Sequence, residues 1–565
     1  MATAKRLYFY SVSGTGLGMA LFGVVALLHL LLSKIGLGPQ NSGSGFAADA
    51  DRDLLAVAIA VGTVGLALWI FHWAVAERMV KAPGEAGASE RASIVRSLYF
   101  AVVLAILLGV AAVAAVQQLS DSIANVLGAR QSNSLSLDDS WSVAAIVVFS
   151  AAWAYHAWVR ARDIRQGTPI EGAAAWVSRF YLYGAAFIGL ISMLGSISSI
   201  IYTAASAAIN NPSGTDFSSF FLQPGVAQSS TPWWVRPVVA AIVGLAVWGA
   251  IWLGHWLYSN RLRSGESSAR STSERTSRVR LAFMMVVVIW GVSSMAGAVA
   301  SGFGSLLMTA TGTDYSTGLP LWYTTALPAI AALPALAAWL LHRRRAFDEA
   351  AVGPAGVSAT RIASYLTAWV GLGLIVEGCE LGLATIFGKW LPGASTGMVY
   401  SGSDSVFKLE LSLAAGYLIS GLLFWVWPWF TSQRRRHELA SGEIGSSSRG
   451  YYLYAVVGSA ILGGAFSLAF ILYPYLRLAF GLPQANLASI ISAPLALLLV
   501  SAGLLAYHAF VLRSDARPPR LPASWPVAAE PPAPVQPVPA AAPVPAEQPT
   551  AAAPMPAGEP GSPTA

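Results

Sequence analysis

Twelve apolar stretches leave this chain few folds to adopt: residues 8–32, 54–76, 98–116, 143–159, 180–204, 238–258, 281–308, 322–341, 362–387, 411–430, 452–476 and 490–512. A helix needs roughly 20 mostly apolar residues to cross about 30 Å of hydrocarbon. No water is present at that depth to satisfy an open backbone, so such segments must be helices or close into a barrel. The short alternating strands of a barrel are missing from the sequence. The expected fold is therefore an all-α integral membrane protein of about 12 transmembrane helices. Pro328 and Pro334 interrupt the eighth stretch, which a bilayer tolerates when neighbouring helices serve the freed carbonyls. The first stretch is too long for the apolar region of a secretory leader, and no small-residue cleavage pattern follows Ser33. It is expected to remain a helix.

Only 11% of the 565 residues are charged, 55% are hydrophobic and the mean hydropathy is +0.59. Soluble domains carry about 25% charged residues, so a soluble multidomain enzyme is excluded. The single cysteine, Cys379, excludes a disulfide framework and a thiolate metal site within one chain. Of the 34 Lys and Arg residues, seven fall in loops within hairpins, namely Lys34, Arg52, Arg130, Arg236, Lys389, Lys408 and Arg477. The positive-inside bias then puts both termini and the linkers between hairpins in the cytoplasm. The expected location is the cell inner (plasma) membrane. The opposite loops carry aspartates, among them Asp49, Asp51, Asp121, Asp138, Asp216, Asp314 and Asp404. The pI of about 9.4 is thus a topology signal. No basic segment forms a nucleic-acid module, so the expected partner is the lipid bilayer and no nucleic acid is expected.

A period is visible along the chain. The second helix of most hairpins ends in Trp-x-x-His, as Trp69/His72, Trp153/His156, Trp252/His255 and Trp339/His342. The sixth hairpin reads Leu505/His508 and the fifth Trp425/Pro428. These positions are 84, 99, 87, 86 and 80 residues apart, and five of the seven histidines occupy them. An arginine follows six residues later at Arg78, Arg162, Arg261 and Arg434. The first helix of each hairpin opens with a basic residue and then tyrosine: Arg6 with Tyr8 and Tyr10, Arg96 with Tyr99, Arg179 with Tyr181 and Tyr183, Arg361 with Tyr365, and Arg449 with Tyr452. The fourth copy keeps Arg280 but offers Phe283. The expected organisation is six tandem, co-oriented helical hairpin repeats, at residues 1–85, 86–170, 171–268, 269–354, 355–440 and 441–516.

These two signatures around an apolar hairpin resemble an uncharacterised bacterial membrane family, domain-of-unknown-function family 5671. Its members look like tandem two-helix units that open with Arg-x-Tyr and close with a Trp-x-x-His-Trp-like sequence. The resemblance extends to about Arg513 and departs from the pattern in the fifth copy, where Pro428 replaces histidine. It implies architecture and carries no chemistry with it.

Residues three apart share a helix face, so each Trp and His pair lies together at one end of its span. Tryptophan, tyrosine and arginine favour headgroup depth. The plain reading of His72, His156, His255, His342 and His508 is an interfacial anchor in which histidine bonds a neighbouring tyrosine or carbonyl. The sharper reading is a set of imidazoles that binds haem or metal in a redox protein, or senses pH. No cofactor and no metal are expected on the plain reading. Glu377 and Glu380 sit one turn apart in the ninth stretch, flanked by glycines. Carboxylates at that depth usually face a protein interior or a watery cavity, so they are candidates for a proton or cation pathway. The opposing reading puts both near the helix's outer end. The run Gly189, Ser192, Gly195, Ser196, Ser198 and Ser199 reads as close helix packing. No phosphate loop, zinc-protease sequence or nucleophile elbow stands in a suitable setting, so no catalytic residue is assigned.

From residue 517 the character changes, with sixteen of the 32 prolines in the last 49 residues. A Pro/Ala-rich tail of this kind favours extended polyproline II and cannot form a core. It is expected to be disordered, either a spacer or a docking strand for a membrane or cytoplasmic protein. The function class expected is a non-enzymatic multi-pass membrane protein with a structural, sensory or interaction role. The alternatives are a proton- or cation-coupled transporter or channel using Glu377 and Glu380, and a haem- or metal-binding protein using the histidines.

Overall fold

The computed structural model describes residues 2–37, 45–129, 139–166, 172–209, 231–264, 274, 277–313, 320–350, 355–391, 404–436, 438, 442–482 and 487–516. The Pro/Ala-rich residues 517–565, together with Arg130, Asp138, Asp216 and Asp314, lie outside the described residues. Among the described residues every regular element is helical: α1 (Ala2–Leu32), α2 (Gly45–Val80), the short α3 (Glu85–Arg91), α4 (Ile94–Val126), α5 (Asp139–Gln166), α6 (Gly172–Ala208) and α7 (Val235–Ser264). They continue as α8 (Arg278–Ala310), α9 (Leu321–Ala331), α10 (Leu333–Ala350), α11 (Ala355–Trp390), α12 (Asp404–Arg436), α13 (Ser447–Ala479) and α14 (Leu487–Asp515). Taking α9 and α10 as one span, twelve helical segments are long and apolar enough to cross a membrane. The break at Ala332 falls between Pro328 and Pro334. Pro334 lacks the N–H that would continue the ladder, and the Ala332 N–H turns back to the Pro328 carbonyl at 3.0 Å.

The longer helices exceed the roughly 20 residues needed to cross a bilayer's hydrocarbon. At 1.5 Å per residue, α2 with its 36 residues runs to roughly 54 Å, so its ends must carry polar chemistry beyond the apolar core. Phe71, Ile106, Leu423 and Phe466 are 62%, 56%, 60% and 63% exposed. Faces of that kind suit lipid as the solvent. Lys34, Arg52 and Lys389 at the loop ends of their helices are paired with Asp51, Asp49 and Asp404 at 2.7, 3.1 and 3.0 Å, and Arg236 is paired with Asp121. His29 stacks on Trp141 at 4.3 Å and shares a 2.7 Å hydrogen bond with Ser140, tying α1 to α5.

In lipid, helices associate through close packing and small residues rather than a hydrophobic drive. A Cβ at Gly23 of α1 would come 2.4 Å from Gly62 Cα of α2, and one at Gly416 of α12 would come 2.4 Å from the Ala300 carbonyl of α8. The glycine–serine run of α6 divides its work. Gly189 packs on Trp252 of α7, whereas the Ser198 hydroxyl donates to the Ala331 carbonyl of α9 at 2.8 Å.

The buried apolar side chains fall into three main clusters that repeat one composition. The first gathers Tyr10, Trp73, Tyr99 and Phe100 of α1, α2 and α4. The second gathers Tyr183, Trp256 and Phe283 of α6, α7 and α8. The third gathers Tyr365, Trp429 and Tyr452 of α11, α12 and α13. The chain divides into two units, Met1–Leu512 and Arg513–Ala565, and the three clusters belong to the first.

Candidate functional site

Beside each aromatic cluster lies a charged side chain buried as completely as any apolar one. Arg96 is 0% exposed, and Arg280 and Arg449 are each 1% exposed. Arginine stays charged in proteins, and taking its guanidinium out of water costs several kcal/mol unless its donors are met. The local sequence places all three alike. A serine three residues earlier caps the helix, and its hydroxyl accepts from the arginine's own backbone N–H: Ser93 at 3.2 Å, Ser277 at 3.3 Å and Ser446 at 3.3 Å. A glutamate three residues before the serine accepts the serine's N–H at its carbonyl, at 3.2, 3.2 and 3.1 Å. One turn, Glu-x-x-Ser-x-x-Arg, thus recurs as Glu90–Ser93–Arg96, Glu274–Ser277–Arg280 and Glu443–Ser446–Arg449.

The same turn is clamped to the preceding hairpin in the same way. Arg96 Nη1 donates to the Tyr10 hydroxyl at 2.8 Å, and Tyr10 donates to Glu90 at 3.0 Å. Glu90 in turn receives Arg6 Nε at 2.7 Å. In the second set, Arg280 reaches Tyr183 at 3.0 Å, Tyr183 bonds Glu274, and Arg179 pairs with Glu274 at 2.8 Å. In the third, Arg449 reaches Tyr365 at 3.4 Å, Tyr365 bonds Glu443 at 2.5 Å, and Arg361 pairs with Glu443 at 3.0 Å. A phenol suits the middle of this relay because its oxygen accepts while its hydrogen donates. The buried arginine also lies over the tryptophan of the second helix, at 5.5 Å from Trp73, 5.0 Å from Trp256 and 5.6 Å from Trp429.

The remaining donors are met differently in each set. Arg96 pairs with Asp163 through Nε at 2.8 Å and with Glu77 through Nη2 at 2.8 Å. The position of Glu77 is taken by Asn260 and Gln433, which accept from Arg280 at 3.2 Å and from Arg449 at 3.3 Å. The position of Ala76 is taken by Ser259 and Ser432, at 2.7 and 2.8 Å from the same arginines. Arg6 and Arg96 look equivalent as helix-opening basic residues, yet they are not. Arg6 sits at the rim with its side chain 22% exposed, and Arg96 is the buried centre.

The five histidines share one local geometry. Each Nδ1 faces the carbonyl four residues earlier, at 2.8 Å in His72, His156, His255 and His342 and at 3.0 Å in His508. A carbonyl only accepts, so Nδ1 carries the proton and Nε2 is left as an acceptor. Tyrosine hydroxyls meet that acceptor at His72 (Tyr8, 3.3 Å), His156 (Tyr99, 3.2 Å) and His255 (Tyr181, 3.3 Å). His342 and His508 find no partner for Nε2 among the described residues. For His342 the cause is visible, since Phe283 stands 5.7 Å away where Tyr99 stands beside His156. Trp252 Nε1, like the equivalent Trp69 Nε1, has no hydrogen-bond partner among the described residues, whereas the equivalent Trp425 donates to Tyr452 at 3.2 Å. Among the described residues no three His, Cys, Asp or Glu side chains converge as a metal set.

Glu377 and Glu380 lie on α11, apart from the arginine sets. Glu377 is exposed and Glu380 half-buried, and among the described residues neither makes a hydrogen bond or an ion pair. Between them Gly378 is pressed on the Ala414 carbonyl of α12. One turn onward, Thr385 donates to Glu410 of α12 at 2.9 Å, close to the outer Lys389–Asp404 pair. Sequence reasoning missed Glu90, Glu274 and Glu443 and the three capping serines. The signal was present as Glu-x-x-Ser-x-x-Arg, in linkers outside the apolar stretches.

A many-spanned helical protein closed by recurrent buried-arginine joints is the class defined by this geometry. Residues 6–140, 135–223 and 361–503 match the family described as Domain of unknown function (DUF5671), together more than half of the chain, which belongs to that family. The first and third matches begin at Arg6 and Arg361, equivalent positions in the joint. No curated protein and no solved structure matches the chain.

Replacing Arg96 by Gln removes the buried one of the two guanidinium groups that hold Asp163 and Glu77, leaving Arg162 on them at 3.0 and 2.6 Å. Loss of such charge-assisted bonds costs about 1.5–3 kcal/mol, whereas exposed Arg78→Gln should stay within about 0.5 kcal/mol. Thermal unfolding in lipid nanodiscs measures the difference. Phe283→Tyr supplies the missing hydroxyl between Trp252 and His342 and should raise stability by about 1 kcal/mol in the same assay.

Proposed function

We propose that this protein is a non-enzymatic scaffold of the cell inner membrane, with both termini in the cytoplasm and its twelve spans arranged as six co-oriented hairpins taken in three pairs. The observation that carries this reading is the fate of the charged groups brought together by the repeat. Arg96, Tyr10, Glu90 and Arg6 are bound to one another, and so are their counterparts in the other two sets. Groups that bind one another form a joint and hold little in reserve for a substrate. Each relay uses the starts of the first and third helices of its set, the end of the second and the turn between them, so the joints share one end of their helices. The surplus of Lys and Arg supports a cytoplasmic position for that end. A two-helix unit has even count and keeps every copy in one orientation, unlike the inverted repeats of many secondary transporters. The tail at 517–565 is then a polyproline-rich arm for a membrane or cytoplasmic protein.

One observation favours a second reading, a proton or cation pathway at Glu377 and Glu380: both carboxylates stand within a span with no bonded partner among the described residues. Proton flux into liposomes, followed with an interior pH dye under an imposed potential, separates the two. The scaffold reading expects the rate of protein-free liposomes for the wild type. A faster rate that disappears in Glu377→Gln/Glu380→Gln would establish the second reading instead.

A further inference from the structure

Two clefts open between neighbouring helix sets at the level of the arginine joints. The first, about 1050 Å³, is walled by α4, α5, α6 and α7, with Phe100, Leu104, Leu108 and Ile251 along its length. The second, about 900 Å³, is walled by α8, α11 and α13, with Met285, Ile289, Leu366 and Trp369 along its length. Both stand at or near the top of the usual range for ligand pockets, about 300–1,000 Å³. Their depths are apolar and their mouths are polar. Inside the first, Tyr181 accepts from Trp153 at 3.1 Å and meets His255 at 3.3 Å, so the polar groups of its wall are already satisfied by protein. Arg160 crosses the mouth and donates to Ser178 at 2.6 Å. Ser277 and Arg278, at the start of α8, line both clefts. Arg278 is exposed and makes no hydrogen bond or ion pair among the described residues. Ser447 and Ser448 add hydroxyls at the mouth of the second cleft.

We infer that these clefts hold anionic phospholipid, with acyl chains along the apolar walls and the phosphate at the mouth, where Arg278 is the anchor. A long apolar wall capped by one uncommitted cation matches a lipid in both shape and charge. A soluble metabolite would leave the wall unsatisfied, and a protein segment would not need the cation. The interaction belongs to the basic side of the membrane, where anionic headgroups are drawn by juxtamembrane arginines at about 1 kcal/mol each.

The test is native mass spectrometry of the full chain released from vesicles containing equal parts of phosphatidylglycerol and phosphatidylcholine. The wild type should retain phosphatidylglycerol over phosphatidylcholine. Arg278→Gln should lower that preference about fivefold, the effect of a single near-surface charge. A Cβ at Gly254, which lines the first cleft, meets nothing within 4 Å. Gly254→Leu should therefore fold normally, plug the first cleft and reduce the total lipid retained, which separates filling of the cleft from loss of charge. Unchanged thermal unfolding of both variants confirms that the fold is intact. Equal retention of the two lipids by the wild type overturns the inference, as does undiminished phosphatidylglycerol retention in both variants.

Discussion

A guanidinium placed where water cannot reach is an obligation that the surrounding fold has to meet. It cannot shed its proton, and its five N–H groups point in fixed directions. Arg96, Arg280 and Arg449 each meet it at the start of a helix, against a tryptophan face from the second helix of the set and a tyrosine from the first, which in turn bonds a glutamate in the turn just before. Four chain segments are thereby held at one point. Lipid gives helices no hydrophobic reason to associate, so specificity at the helix ends that carry the joints falls to these polar groups, and glycine contacts such as Gly23 on Gly62 serve the interior.

Variation around the joint follows hydrogen-bond accounting. Where the second helix offers Glu77, its neighbour is Ala76; where it offers the neutral Asn260 or Gln433, the neighbour is Ser259 or Ser432. The outer histidine behaves likewise. Tyr8 meets His72 and Tyr181 meets His255, but in the third set Ala363 and Pro428 occupy both positions together. Losing the pair at once leaves neither partner buried and unsatisfied, which is the cheaper substitution. The absence of histidine at Pro428, an anomaly if all copies serve one cofactor, goes with the absence of the tyrosine that would meet it, at Ala363.

Much of the fold was legible because its signal is local. Apolar runs of about 20 residues declare themselves one at a time, and so do the helix break between Pro328 and Pro334 and the Trp-x-x-His ends. The histidine's bond to a tyrosine or a carbonyl was also within reach, since both residue types recur at the same depth. The distinction between Arg6 and Arg96 was not. Both open a helix beside a tyrosine, and only contacts between residues 84 and 86 apart show one at the rim and the other at the centre. Glu90, Glu274 and Glu443 escaped because an acidic residue in a polar linker is unremarkable until the turn that buries it is known.

Double-mutant cycles on unfolding free energy test the joint most directly. Arg280→Gln and Tyr183→Phe should be non-additive, with a coupling of about 0.5–3 kcal/mol, whereas Arg280→Gln combined with Tyr10→Phe, which belongs to a different set, should add to within about 0.5 kcal/mol. Independent effects of Arg280 and Tyr183 would contradict the account, since no relay would then join them.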